Sequence, residues 1–153
     1  MRSKKHTKEP LNSIGDWIAV YGLWLAGCAV AFLLMIALRQ MILTWLDVAG
    51  ADELTRTAVD RFGFFGLSIF CLFIIVYLEH YYRTGHGQGL LYIRFTRSLG
   101  IELFLLGAMH FTSMALVHVS SASWAEILVP LAEGIAGLSL TVVSFRLPET
   151  KGE

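Results

Sequence analysis

Residues 17–38 read WIAVYGLWLAGCAVAFLLMIAL, a run of twenty-two positions without a charge. At 1.5 Å of rise per residue an α-helix of that length reaches about 33 Å, enough to cross the roughly 30 Å hydrocarbon core of a bilayer. Just upstream, Asn12 or Ser13 can cap the helix, and Asp16 suits the positive end of its dipole. Trp45 marks the far interface. One such run predicts a membrane helix, and three more follow it.

A polar turn is expected over residues 47–61. The second run, residues 62–78, carries no charge and ends in Glu79, His80, Tyr81, Tyr82 and Arg83, a typical interfacial mixture. Gly85, Gly87 and Gly89 then break the helix, and residues 90–97 are expected to form a short amphipathic segment on the membrane surface. The third run, residues 99–119, carries Glu102, His110 and His118. Past Ser120, Ser121 and Ser123 the fourth covers residues 124–145, and Leu147-Pro148 closes it. With flanking turns the spans are expected at residues 15–46, 55–83, 97–119 and 124–146, with tails at 1–14 and 147–153, in one membrane domain over 1–153.

Composition agrees. The chain is 56% apolar and only 16% charged, against about 25% charged in soluble proteins, and its mean hydropathy is +0.62. Four spans leave no room for a soluble catalytic domain within these 153 residues. The net charge of zero gives no reason to expect nucleic acid as a partner. Residues 1–8 are basic, but the apolar run that follows exceeds a signal-peptide core, so the first helix is expected to be retained. Cys28 and Cys71 both fall inside apolar runs, where a thiol acts as a small hydrophobe. Gly22, Ala26, Gly27 and Val30, and Ala132, Ala136 and Ser139, are the expected helix contact faces. Phe62, Phe64, Phe65, Phe70 and Phe73 are expected to face lipid or to pack.

Lysine and arginine give the orientation. Arg2, Lys4, Lys5 and Lys8 precede the first run, Arg83, Arg94 and Arg97 lie between the second and third, and Arg146 and Lys151 end the fourth. The other side holds only Arg39, Arg56 and Arg61. Positive-inside bias therefore predicts both termini in the cytoplasm, and short connections predict an antiparallel four-helix transmembrane bundle, in a plasma membrane of prokaryotic type.

Ionisable groups inside a span cost about 2.5–3.5 kcal/mol on insertion scales, so each is a candidate site. Glu133, in a segment of small residues, and His110 on the preceding span are each about nine residues from their shared outer loop. Arg39 falls in the same half of the membrane. Arg39, His110 and Glu133 are therefore expected as an intramembrane cluster that binds or relays a proton or another cation. The plainer alternative is an Arg39–Glu133 pair that fixes helix register, with His110 bonded to a backbone or hydroxyl group. In a third version Arg39 reaches up to the surface and leaves Glu133 protonated. On the cytoplasmic side Glu79, His80, Arg83, Arg94, Arg97 and Glu102 form a second candidate, either an interfacial ion-pair network or a site for an anionic lipid headgroup or quinone.

No nucleophile elbow, phosphate loop or zinc-protease pattern occurs, so no catalytic residue is assigned. No cofactor and no metal are expected. Haem needs two histidines at matching depth, and His80, His110 and His118 do not match; His80 and His86 are expected in solvent.

In having Glu133 followed by small residues in the last of four spans, the chain resembles the proteolipid of rotary proton-pumping ATPases at that segment. That family packs through glycine-dense helices, whereas Gly22 and Gly27, then Gly100 and Gly107, are sparse here and bulky residues dominate. Membership is not inferred. The expected role is a non-enzymatic subunit or accessory protein that packs against other membrane proteins or itself. The alternatives are a self-associating proton or cation channel using Glu133 and His110, and a quinone- or haem-linked redox subunit.

Overall fold

The computed structural model describes residues 14–117 and 124–146. They form four helices, α1 (Ile14–Val48), α2 (Glu53–His86), α3 (Leu91–Val117) and α4 (Trp124–Arg146), with no strand among the described residues. All four are long and apolar enough to cross a membrane. The candidate cap residues Asn12 and Ser13, His118 and the serines that follow it, and both tails lie outside the described residues.

Both of the first two turns close in the same way. At the end of α1 the Gly50 N–H donates to the Asp47 carbonyl (3.1 Å) and the Ala51 N–H to that of Leu46 (3.0 Å), with Gly50 at φ +71°. At the end of α2 the Gly89 N–H donates to His86 (2.9 Å) and the Leu90 N–H to Gly85 (2.8 Å), with Gly89 also at φ +71°. These paired bonds satisfy carbonyls that a helix end leaves open, and the left-handed residue at their centre favours glycine.

Two expectations are corrected here. The polar turn is much shorter than residues 47–61, because α2 starts at Glu53 and takes Arg56, Asp60 and Arg61 into helix. Residues 91–97 are the first turns of α3 and not a separate surface segment. In both places charged residues interrupt the apolar run without interrupting the helix. Apolarity bounds the part of a helix that lipid can surround, and glycine sets where the helix stops.

The core lies at the end of the molecule holding the glycine-rich turn. Val20, Leu78, Tyr82 and Leu91 are buried together, with Trp24, Ile74 and Phe95 packed around them. Tyr21 donates to Glu79 (3.3 Å), the Trp24 indole N–H to the Ile75 carbonyl (3.0 Å), and Arg39 meets Asp60, so partner numbers fall along α2 as they rise along α1. Elsewhere the helices turn large apolar side chains outward, and Phe62, Phe64, Phe65, Phe70 and Phe73 are all exposed. That inverted surface is what a lipid solvent permits.

Helix α4 packs against α3 alone among the described residues, while α1, α2 and α3 pack on one another. The α3–α4 approach is set by backbone. A Cβ on Gly107 would lie 2.6 Å from the Gly134 nitrogen, and one on Gly100 would lie 2.6 Å from the Thr141 hydroxyl.

Candidate functional site

Arg39 grips Asp60 with both arms of its fork, Nε to Oδ1 at 2.7 Å and Nη2 to Oδ2 at 2.8 Å. Fork-to-carboxylate geometry is the strongest form of this pair and fixes α1 against α2. One turn nearer the connecting loop, Arg56 reaches Asp47 at 3.3 Å. At the loop itself, Asp52 accepts a hydrogen bond from the Thr55 hydroxyl, which holds its carboxyl below the usual carboxylate range.

His110 Nδ1 and Glu133 Oε2 lie 2.9 Å apart, joining α3 to α4. With Glu133 ionised, the ring N–H donates to it. Neither group is deeply enclosed, the His110 side chain being 43% exposed and that of Glu133 23%. The two polar pairs share a level. Gly27 on α1 faces the Tyr82 hydroxyl, which also bonds to Ser98 on α3. The same number of residues onward leads from Gly27 to Arg39 and from Ser98 to His110. The expected three-residue cluster therefore divides. His110 and Glu133 come together, but Arg39 is bound to Asp60 on α2, and neither α1 nor α2 touches α4. The missed residue is Asp60, assigned by sequence to a turn; it lies two residues before the apolar run on α2, as Arg39 lies directly after the run on α1.

The second expected group lies on two helices, α2 and α3, and does not close into one cluster. Glu79 accepts from Tyr21, Arg83 lies 6.0 Å over the Trp17 ring, and His80 is exposed. Arg94 donates to the Tyr81 carbonyl at 2.9 Å and to Gln88, and lies 4.9 Å over the Tyr81 ring. Its stem passes over Gly85, where a Cβ would come within 2.6 Å of Arg94 Cδ. Arg97 turns the other way and stacks 4.3 Å over Phe145 of α4. His86, expected in solvent, is partly buried and reaches Asp16 at 3.6 Å.

Glu102 stands apart from them all. Its residue is only 7% exposed, and its Oε2 has no hydrogen-bond partner. No ion pair among the described residues reaches it. It lies within electrostatic reach of Cys28 on α1 and of Cys71 and Tyr82 on α2. Cys71 is buried, Cys28 is partly buried, and both are free thiols. No group of three His, Cys, Asp or Glu side chains suited to a metal ion occurs among the described residues.

The contact face of α4 also differs from the expected one. Ala132, Ala136 and Ser139 are exposed, as are Gly22 and Ala26 on α1. The stripe that meets α3 carries Gly134, Gly137 and Thr141, with Pro130 at its N-terminal end. Beside this crossing an open apolar hollow of about 290 Å³ is lined by Phe104, Gly107, Phe111, Pro130, Gly134 and Leu138 among others.

No family model, curated protein or solved structure matches the chain. Fold and site together define a small helical membrane protein with four spans.

Proposed function

We propose that this chain is a non-enzymatic subunit or accessory protein of a membrane complex, packing against other membrane proteins through the flank where α3 meets α4. The observation that carries this is the partly open His110–Glu133 pair, a polar contact within otherwise apolar helices, on a side that α1 and α2 leave uncovered. A polar pair in contact with acyl chains is costly, and a partner helix laid over it removes that cost. The small residues Ala132, Ala136 and Ser139, which α3 leaves exposed on α4, favour close approach of a partner helix to α4.

In this proposal the helices form an antiparallel bundle in a plasma membrane of prokaryotic type, both termini cytoplasmic, with Arg39–Asp60 and His110–Glu133 toward the outer face. The bias of nine basic residues against three supports that orientation. Purification from native membranes in mild detergent, with mass spectrometry of the retained proteins, tests the proposal. Stoichiometric foreign subunits that disappear with Glu133→Gln are expected, and a preparation holding this chain alone overturns it. A second reading, a homo-oligomeric proton or cation channel, draws on the same pair, since an imidazole bonded to a carboxylate can exchange a proton near neutral pH. It predicts a partner-free oligomer whose ion flux in liposomes falls with Glu133→Gln.

A further inference from the structure

Glu102 is the one buried carboxyl among the described residues, and no ion pair neutralises it. Its depth follows from its neighbours. Cys28 lies near the middle of the uncharged residues 17–38, and Cys71 near the middle of residues 62–78. Ser98, one turn before Glu102, bonds to the Tyr82 hydroxyl, which lies against Gly27 at the middle of residues 17–38, so the Glu102 carboxyl sits near mid-height of the apolar band.

The groups around it are few. Its electrostatic neighbours are Cys28 on α1 and Cys71 and Tyr82 on α2. On its own helix the nearest cation in sequence is Arg97. Five residues of α-helix turn the chain by about 140°, and the Arg97 guanidinium stacks on Phe145 of α4. Lysine and histidine are absent from its hydrogen bonds and ion pairs among the described residues. A hard cation such as sodium would need a cage of oxygens, and the Glu102 Oε2 has no hydrogen-bonding oxygen beside it. One ligand suits a single carboxyl in such surroundings.

We infer that Glu102 is a proton-binding site in the middle of the membrane, loaded from the side of the glycine-rich turn through the hydrogen-bonded hydroxyls of Tyr82 and Ser98. Ser98 lies one helical turn before Glu102, about 6 Å along the axis, between the carboxyl and that turn. Its hydroxyl is bonded to that of Tyr82 and donates to the Phe95 carbonyl at 3.1 Å. The exchange is simple in balance: the carboxyl gives up its proton toward the hydroxyl pair and becomes a carboxylate, and takes one back by the same route.

This site belongs to α1, α2 and α3, so it stands or falls apart from the partner proposed for the α3–α4 flank. The test is infrared spectroscopy of the full chain in lipid bilayers, comparing wild type with Glu102→Gln. At pH 7 the carbonyl stretch of a protonated, poorly hydrated carboxyl is expected in wild type and absent from the variant. Tyr82→Phe and Ser98→Ala are expected to slow hydrogen–deuterium exchange of that band several-fold. A spectrum in which Glu102→Gln removes only carboxylate bands overturns the site, and unchanged exchange overturns the route. A second measurement needs no variant. Dicyclohexylcarbodiimide, an apolar electrophile to which a protonated carboxyl adds, giving its proton to the nitrogen and bonding its oxygen to the central carbon, is expected to modify Glu102 in wild type, read by peptide mass. A peptide left unmodified after exhaustive treatment overturns the site equally.

Discussion

Gly107 and Gly134 meet at the α3–α4 crossing, yet only one of them is obliged to be glycine. A Cβ on Gly107 would lie 2.6 Å from the Gly134 nitrogen and 2.8 Å from the Pro130 carbonyl, whereas a Cβ on Gly134 meets nothing within 4 Å. Gly107→Ala is therefore expected to push α4 away from α3 and to destabilise the chain by about 1–3 kcal/mol. Gly134→Ala is expected to be neutral or to stabilise by up to about 1 kcal/mol through helix propensity. Unfolding of the two variants in mixed micelles compares them directly. Equal losses would mean that the helices approach through another face.

Arg39 and Asp60 close the α1–α2 pair toward its connecting turn with two parallel bonds. Removing either partner leaves the other unmatched at the edge of the apolar run. In a cycle of Arg39→Ala, Asp60→Ala and the double variant, the combined loss is expected to be smaller than the sum of the single losses. Strict additivity, measured by thermal unfolding in bilayer nanodiscs, would show that the pair contributes no coupling.

Gly50 and Gly89 both hold φ +71°, each at the centre of a helix-ending pair of bonds. An L side chain there costs roughly 1–2 kcal/mol. Gly50→Ala and Gly89→Ala should each lower stability by that amount, while Gly63→Ala, in open space within α2, should not. Denaturation of the three variants side by side ranks them.

Asp52 titrates in water just before α2, and the Thr55 hydroxyl lowers its affinity for a proton. A group whose folded value is depressed contributes stability above its unfolded value and loses that contribution as pH falls through the folded one. The Asp52–Thr55 contact should therefore help at neutral pH and fade on acidification below the ordinary carboxylate range. Carbon-13 titration of the Asp52 carboxyl should move upward in Thr55→Val. A midpoint indifferent to that substitution would assign the depression to the helix end alone.

Helix number and type were legible because lipid imposes a simple rule, an uncharged run long enough to cross, and residues 17–38 obey it without exception. The matching height of one polar pair was legible too, since rise per residue is constant, although the depth of Glu102 was not. His110 and Glu133 were brought to one height by counting, and they do meet. The direction in which each helix turns its side chains was not legible. Arg39 stands at the expected height but points to Asp60, and Glu102, counted among interfacial charges, points inward. Hydropathy gives no rotational signal when nearly every face of a helix is apolar. On α4 the small residues Ala132, Ala136 and Ser139 and the stripe of Gly134 and Gly137 were equally plausible contact faces by composition, and only backbone proximity to α3 separates them.

The packing of α4 on α3 alone has a consequence for biosynthesis. A chain leaves the ribosome from its N-terminal side, so α1, α2 and α3 have all their mutual contacts available before α4 has been made. The last helix to emerge then has one surface to recognise, by close backbone approach at the glycines and by the Arg97–Phe145 and His110–Glu133 contacts. Until α4 docks, Gly100 and Gly107 form a bare track on α3, open to any helix small enough to follow it. Docking of the chain's own last helix is thus in competition with neighbours in the same bilayer, and tethering through a short loop is what gives it the advantage.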